Sequence, residues 1–247
     1  MNNLRLTYLV EDTAQSGGVR VILAQADALV DRGHQVRIVT KGGPVTWRRR
    51  SAAEWIHVTG FDEYDASGDD FVIGTFWLTV PAAVRLGGPR AVHLSQGYEG
   101  AFSFNRSVRD QIDAVYRLSI PKLVVARSLV DVCRQFTDDV TYIGQVVEDE
   151  FYRSSAPPEN DPLRVLLAGP AQADLKGIAD GYSAVLSARE SGERFTLIRV
   201  SPWLPAPART RSTPRGSHRW WSSPPAARAP ARPSRTDSRR RWSRRRH

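Results

Sequence analysis

The sequence has a single cysteine, Cys133, among its 247 residues. No internal disulfide can form, and such usage fits a reducing compartment. No apolar run approaches the ~18 residues that a membrane span requires. The N-terminal MNNLRLTYLV lacks a signal-peptide layout, because its apolar run is short and already reads as a strand. Five histidines are scattered along the chain, and with one cysteine they show no metal-ligand spacing. The G-x-G-x-x-G of dinucleotide enzymes is also missing: AQSGGVR follows a longer loop. Thr40-Lys41 stand where such enzymes carry an acid at the end of the second strand. A dinucleotide oxidoreductase is therefore disfavoured.

The formal charge of +9 invites a nucleic-acid reading, but it is unevenly placed. Residues 201–247 hold 13 arginines, no lysine and one acid, Asp237, for a net of +12. Residues 1–200 hold 22 basic and 25 acidic side chains, a net of −3. The two parts need separate explanations.

What is present starts at Leu4–Gly18, LRLTYLVEDTAQSGG. An apolar run ends in a polar loop that closes on Ser16-Gly17-Gly18, and Val19–Leu29 then repeats apolar residues at helical spacing. This is strand, glycine turn, helix, the opening unit of a wound α/β domain. Free N–H groups and a positive dipole end at the helix start suit a phosphate, with Ser16 as N-cap. A glycine turn also packs a helix on a strand with no ligand at all.

Gly33 ends the first helix, and Gln35–Thr40 is the second strand. Further strands are expected at Trp55–Val58, Phe71–Gly74, Ala91–Leu94, Lys122–Val125 and Val140–Ile143. Helices are expected at Trp77–Leu86, Ser107–Leu118 and Ser128–Phe136, the last capped by Ser128. Arg48-Arg49-Arg50 reads as a solvated face. His93 reads as a satisfied core histidine, His34 as a helix-end cap contact, and His57 shows no partner. Residues 149–161 are rich in serine, proline and charge and read as a linker. A second unit follows: strand Leu163–Ala168, loop, helix Leu175–Arg189, strand Phe195–Val200.

From Ser201 the pattern stops. Eight of the chain's 16 prolines lie beyond it, with Trp203, Trp220, Trp221 and Trp242, and no helix or strand period survives. Three readings compete: a disordered basic tail that binds polyanions, a linker to a missing partner, or an out-of-frame translation of a GC-rich gene. The abrupt switch inside a βαβ unit favours the last.

The ordered features resemble one family. The Gly-Gly turn, then Arg32-Gly33-His34-Gln35-Val36 entering strand two, is similar to the N-terminal domain of family 4 glycosyltransferases of the GT-B type. Ile73–Trp77 resembles the strand and turn lining that family's cleft. His93-Leu94-Ser95-Gln96-Gly97-Tyr98-Glu99-Gly100 resembles the loop beside the acceptor in bacterial members acting on cell-surface polysaccharides. Val124–Ser128 and Ile143–Phe151 resemble the approach to, and the segment of, the interdomain crossing. Leu166–Gly169 with Lys176-Gly177-Ile178 resembles the start of the nucleotide-binding domain.

The resemblance implies an α/β, GT-B-like fold. One complete Rossmann-like domain with a parallel sheet (1–150) would be followed by a hinge (151–161). An incomplete second Rossmann-like domain (162–200) and a disordered basic tail (201–247) would complete the chain. It implies sugar transfer from a nucleotide-sugar co-substrate, with retention, no cofactor and no metal. Gly17, Gly18, Gln96 and Tyr98 would face the substrates, with Glu99 orienting an acceptor hydroxyl or acting as base. Lys176, at a helix start, would contact the leaving phosphate, where charge builds as the bond breaks. The implied partners are the donor and a saccharide or lipid-linked acceptor, with no specific nucleic acid. The implied location is the cytoplasm, with peripheral association at the inner face of the membrane.

Two departures stand out. Pro170-Ala171-Gln172 occupy the place of the family's arginine after the glycine matching Gly169. The family's paired glutamates would lie beyond residue 200, where the tail stands. Catalysis by this chain alone is therefore expected to be impaired. The alternatives are a non-catalytic half-domain and a polyanion-binding protein acting through its tail.

Overall fold

The structure, a computed structural model, describes residues 3–47, 51–147, 162–171 and 174–201. The Arg48–Arg50 run, the 151–161 linker and the tail beyond Ser201 lie outside the described residues.

Seven strands form one sheet: β1 (Arg5–Val10), β2 (Gln35–Thr40), β3 (Glu54–His57), β4 (Phe71–Gly74), β5 (Ala91–Ser95), β6 (Lys122–Val124) and β7 (Val140–Tyr142). Their order is β3-β2-β1-β4-β5-β6-β7, and every pairing is parallel. The chain winds outward from β1 in one direction, returns through β4 and winds the other way. The order therefore reverses between β1 and β4, the switch point at which wound α/β sheets place ligands outside the carboxyl ends of the strands.

Helices cover both faces: α1 (Gly17–Asp31), α2 (Val80–Gly87), α3 (Arg109–Tyr116) and α4 (Arg127–Cys133). Successive residues of β1 from Leu6 to Val10, Thr7 included, are all buried because the sheet is covered on both sides. Leu6, Tyr8 and Val10 pack with Ile22, Ala26, Ile112 and Leu129; Leu9 packs on the other side with Val39, Val72 and Val80. Gly74 is required here, since a Cβ would come within 2.7 Å of the Val80 backbone.

Several expected elements differ in detail. The helix expected from Trp77 starts at Val80, because Thr79 Oγ1 accepts the Thr75 and Phe76 amides and holds a turn. Residues 103–108 form a 3₁₀ helix ahead of α3. Ser128 is no cap: α4 starts at Arg127 with Ala126 at its N-cap.

A second, two-stranded parallel sheet follows: β8 (Leu163–Ala168) and β9 (Phe195–Val200), joined through α5 (Ile178–Glu190). All these elements belong to the unit Met1–Leu204.

Candidate functional site

The loops after β1, β4 and β5 meet at the reversal point. The β1–α1 loop is pinned from one side. Thr13 Oγ1 donates to Gly43 O at 2.6 Å, and Trp47 Nε1 donates to Thr13 O at 2.9 Å. A Cβ on Gly42 would lie 2.6 Å from Thr13 N. Ser16 caps α1 as expected, its Oγ accepting the Val19 amide at 3.2 Å. Gly17 and Gly18 then form the open end of the helix, where the first amides have no intrahelical partner. A Cβ at Gly17 would meet nothing within 4 Å, so the space above it is clear.

Gln96 joins this turn from the far side. Its Nε2 donates to Gly18 O at 3.1 Å, across 78 residues of sequence. The structure thus brings together Gly17, Gly18 and Gln96. A cavity of about 210 Å³ lies between α1 and the segment after β7, lined by Gly17, Arg20, Val21, Ala24 and Gln145–Val147. Gln145 falls in the Ile143–Phe151 stretch, whereas Arg20 carries no sequence signal of its own. Arg20 lies one helical turn after Gly17, a spacing that puts both on one flank.

Tyr98 and Glu99 turn inward. The Tyr98 hydroxyl donates to Asp113, and its ring sits edge-on to Tyr116 at 5.2 Å. The Glu99 residue is only 9% exposed. Its carboxyl group is 2.8 Å from the Tyr116 hydroxyl and takes the amides of Trp77 and of Glu99 itself. Burial raises its pKa, and these hydrogen bonds oppose the rise. The Tyr116 hydroxyl has one proton and two acceptors, Gly97 O at 2.7 Å and Glu99 at 2.8 Å. When Tyr116 donates to Glu99, Ser95 Oγ can donate to Gly97 O at 3.2 Å; when Glu99 is protonated, Tyr116 turns to Gly97. The network closes in both states. Gly100 is obligatory, since a Cβ there would collide with the Tyr98 ring.

The histidine expectations need correction. His93 is fully buried, yet neither ring nitrogen has a hydrogen-bond partner. It packs edge-on against Tyr116 at 4.9 Å, and burial, then the Lys122 charge, lowers its pKa to about 3. Its partner in register, Lys122, donates to Leu118 O at 3.0 Å. His57 does have a partner, Gly42 O at 2.9 Å. His34 makes the expected helix-end contact, its amide donating to Leu29 O at 3.1 Å, and its ring also accepts the Leu4 amide at 3.2 Å at the foot of β1. Among the described residues no cluster of His, Cys, Asp and Glu could hold a metal ion.

Lys176 is exposed and lies in a 3₁₀ turn, Asp174–Lys176, before α5 rather than at its start. Gly177 intervenes as the N-cap with φ 59°. Lys176 packs over Gly169, where an added Cβ would be 3.4 Å from the lysine Cβ and Cγ. A second cation reaches the same glycine. The Arg199 guanidinium donates to Leu167 O at 3.0 Å and to Gly169 O and Val200 O. Arg199 of β9 thus stands beside Gly169 with its guanidinium on backbone carbonyls. Only the Leu167↔Arg199 pairing reveals it.

No protein-family model matches the sequence, and no curated protein matches it. Solved structures do. A glycosyltransferase from Rickettsia africae ESF-5 aligns over 81% of this chain and 69% of its own, with 11% identity and a TM-score of 0.50. Anabaena Alr3699/HepE, in complex with UDP and glucose, aligns over 80% of this chain and 70% of its own, with 10% identity and a TM-score of 0.55. An alpha-glucosyltransferase in complex with UDP and a 13-mer DNA containing an HMU base aligns over 81% and 58%, with 13% identity and a TM-score of 0.51. At such identities the likeness is one of fold: the chain has an α/β, GT-B-like fold built on a Rossmann-like parallel sheet.

Proposed function

We propose that the chain is a glycosyltransferase of the nucleotide-sugar-dependent, family 4 type. It would act on a saccharide or lipid-linked acceptor of a cell-surface polysaccharide. The observation that carries this reading is the site at the β1/β4 reversal, where Gln96 is bonded across to the open glycine end of α1. An anionic or hydroxyl-rich ligand there meets backbone N–H groups and an amide side chain with no reorganisation needed.

The donor side is assigned to Lys176 and Arg199 around Gly169. Two cations beside one strand end suit a diphosphate leaving group, which gains negative charge as the glycosidic bond breaks. No metal and no further cofactor enters this reading. Glu99 is assigned a positioning role. Its carboxyl group is spent on Tyr116 and the Trp77 amide, and it thereby fixes the Gln96–Gly100 loop. The exposed faces of the β8–β9 sheet favour weak donor binding with impaired turnover in this chain.

Isothermal titration of the full chain with UDP, UDP-glucose and GDP-mannose tests the proposal. Binding is expected near millimolar Kd, with Lys176→Ala and Arg199→Ala each weakening it about tenfold, the loss of one charge-assisted contact. Absence of heat at millimolar ligand for all three overturns it.

A further inference from the structure

Directly after Glu99 and Gly100 the chain displays two aromatic rings. Phe102 and Phe104 lie parallel, with centroids 5.1 Å apart and planes 10° from each other. Phe104 is 55% exposed, whereas Phe102 is half-buried. Among the described residues between Leu78 and Tyr142 in sequence, no other large hydrophobic side chain is exposed.

The pair is held rigidly. The Phe102 amide donates to Glu99 O at 3.2 Å, and the Asn105 amide donates to Phe102 O at 3.0 Å. Asn105 Nδ2 donates to Glu99 O at 2.9 Å. Glu99 is anchored in turn to Tyr116. An exposed phenyl ring forgoes the gain of burial. Here a buried carboxyl group, a side-chain amide and two short 3₁₀ helices hold it in the open.

We propose that Phe102 and Phe104 are a stacking platform for a sugar ring of the acceptor. This deepens the acceptor-side reading above and rests on it. A pyranose has one face of C–H groups and a rim of hydroxyls. A flat aromatic face takes the first, and the exposed Ser103 and Arg106 of the same 3₁₀ helix offer partners for the second. The small area of the pair fits one sugar ring. A lipid surface would need a wider apolar patch or several insertions.

The test uses the full chain and saturation-transfer NMR with methyl glycosides of glucose, mannose, galactose and rhamnose. UDP is followed in parallel, and vesicles of phosphatidylcholine with phosphatidylglycerol form a separate arm. At least one glycoside is expected to receive saturation at its ring C–H protons. Phe104→Ala should weaken that binding about tenfold, Phe104→Trp should retain it, and UDP binding should be the same in all three proteins. Phe104 is exposed enough for the alanine variant to fold, and an unchanged thermal midpoint checks this.

Silence from every glycoside while UDP binds overturns the platform and leaves the donor reading standing. An unchanged glycoside affinity in Phe104→Ala also overturns it. Vesicle binding that is lost in Phe104→Ala, without any glycoside signal, overturns it in favour of a membrane contact. Glycoside binding lost in Phe104→Ala with no UDP binding supports the platform and removes the donor reading instead.

Discussion

Two regions of this chain carry the same βαβ pattern and bury it very differently. In the seven-stranded sheet Leu9, Ile38 and Val72 are completely buried. In the β8–β9 sheet Leu163 and Leu166 are both 62% exposed, and Leu186 of α5 is 57% exposed. Local pattern builds the elements in both regions. Burial needs further layers, because one helix cannot cover two faces of a sheet. The larger region has helices on both sides, and the smaller one has α5 alone among the described residues. Stability should therefore concentrate in the larger sheet.

The largest expected effect tests that difference directly. Leu94→Ala, at a side chain 1% exposed, should cost about 3 kcal/mol, whereas Leu166→Ala should stay within about 0.5 kcal/mol. Urea unfolding of the two variants measures this. A cost at Leu166 equal to that at Leu94 would break the comparison.

Of similar size is the acid response of the larger region. His93 has its folded pKa lowered from the ordinary 6.5 to about 3, so the folded state resists taking its proton. The stability linked to it is fully present above pH 6.5 and is lost as pH falls toward 3. The slope is about 1.4 kcal/mol per pH unit. Glu99, with a raised pKa, works in the opposite sense: its burial cost is relieved on protonation. His93→Leu should remove the acid loss and leave stability at neutral pH unharmed, since it deletes two buried nitrogens without partners. Melts from pH 7 to pH 4 decide this; an undiminished acid slope in the variant would remove His93 from the account.

The smallest effect concerns helix starts. Ser16→Ala should cost about 1 kcal/mol through loss of the Val19 cap, while Ser128→Ala should stay within about 0.5 kcal/mol, because Ser128 lies inside α4. Equal costs in chemical denaturation would show that Ser16 is not an effective cap.

Much of the architecture is readable from pattern. β2, β4 and β8 fall on the residues expected, and β1, α1 and their turn lie within a few residues of expectation. The misses are instructive. A hydroxyl at the head of an apolar run reads as a cap at Ser128, but the chain enters α4 earlier. Tyr98 and Glu99 look like cleft residues because their loop follows a strand. Instead their hydroxyl and carboxyl groups turn toward Asp113 and Tyr116 of α3. His57 finds Gly42 only because β3 lies beside β2 in the sheet.

The sequence alone determines the alternation of strand and helix, the glycine turn after β1, the break in composition at Ser201 and the split of charge between body and tail. These depend on side-chain period and on composition, which are local. Tertiary structure decides the strand order that reverses between β1 and β4, the Gln96 contact with Gly18, and the arrival of Arg199 at Gly169. Parallel pairing joins residues far apart in the chain, and no local period records which strand will be the neighbour.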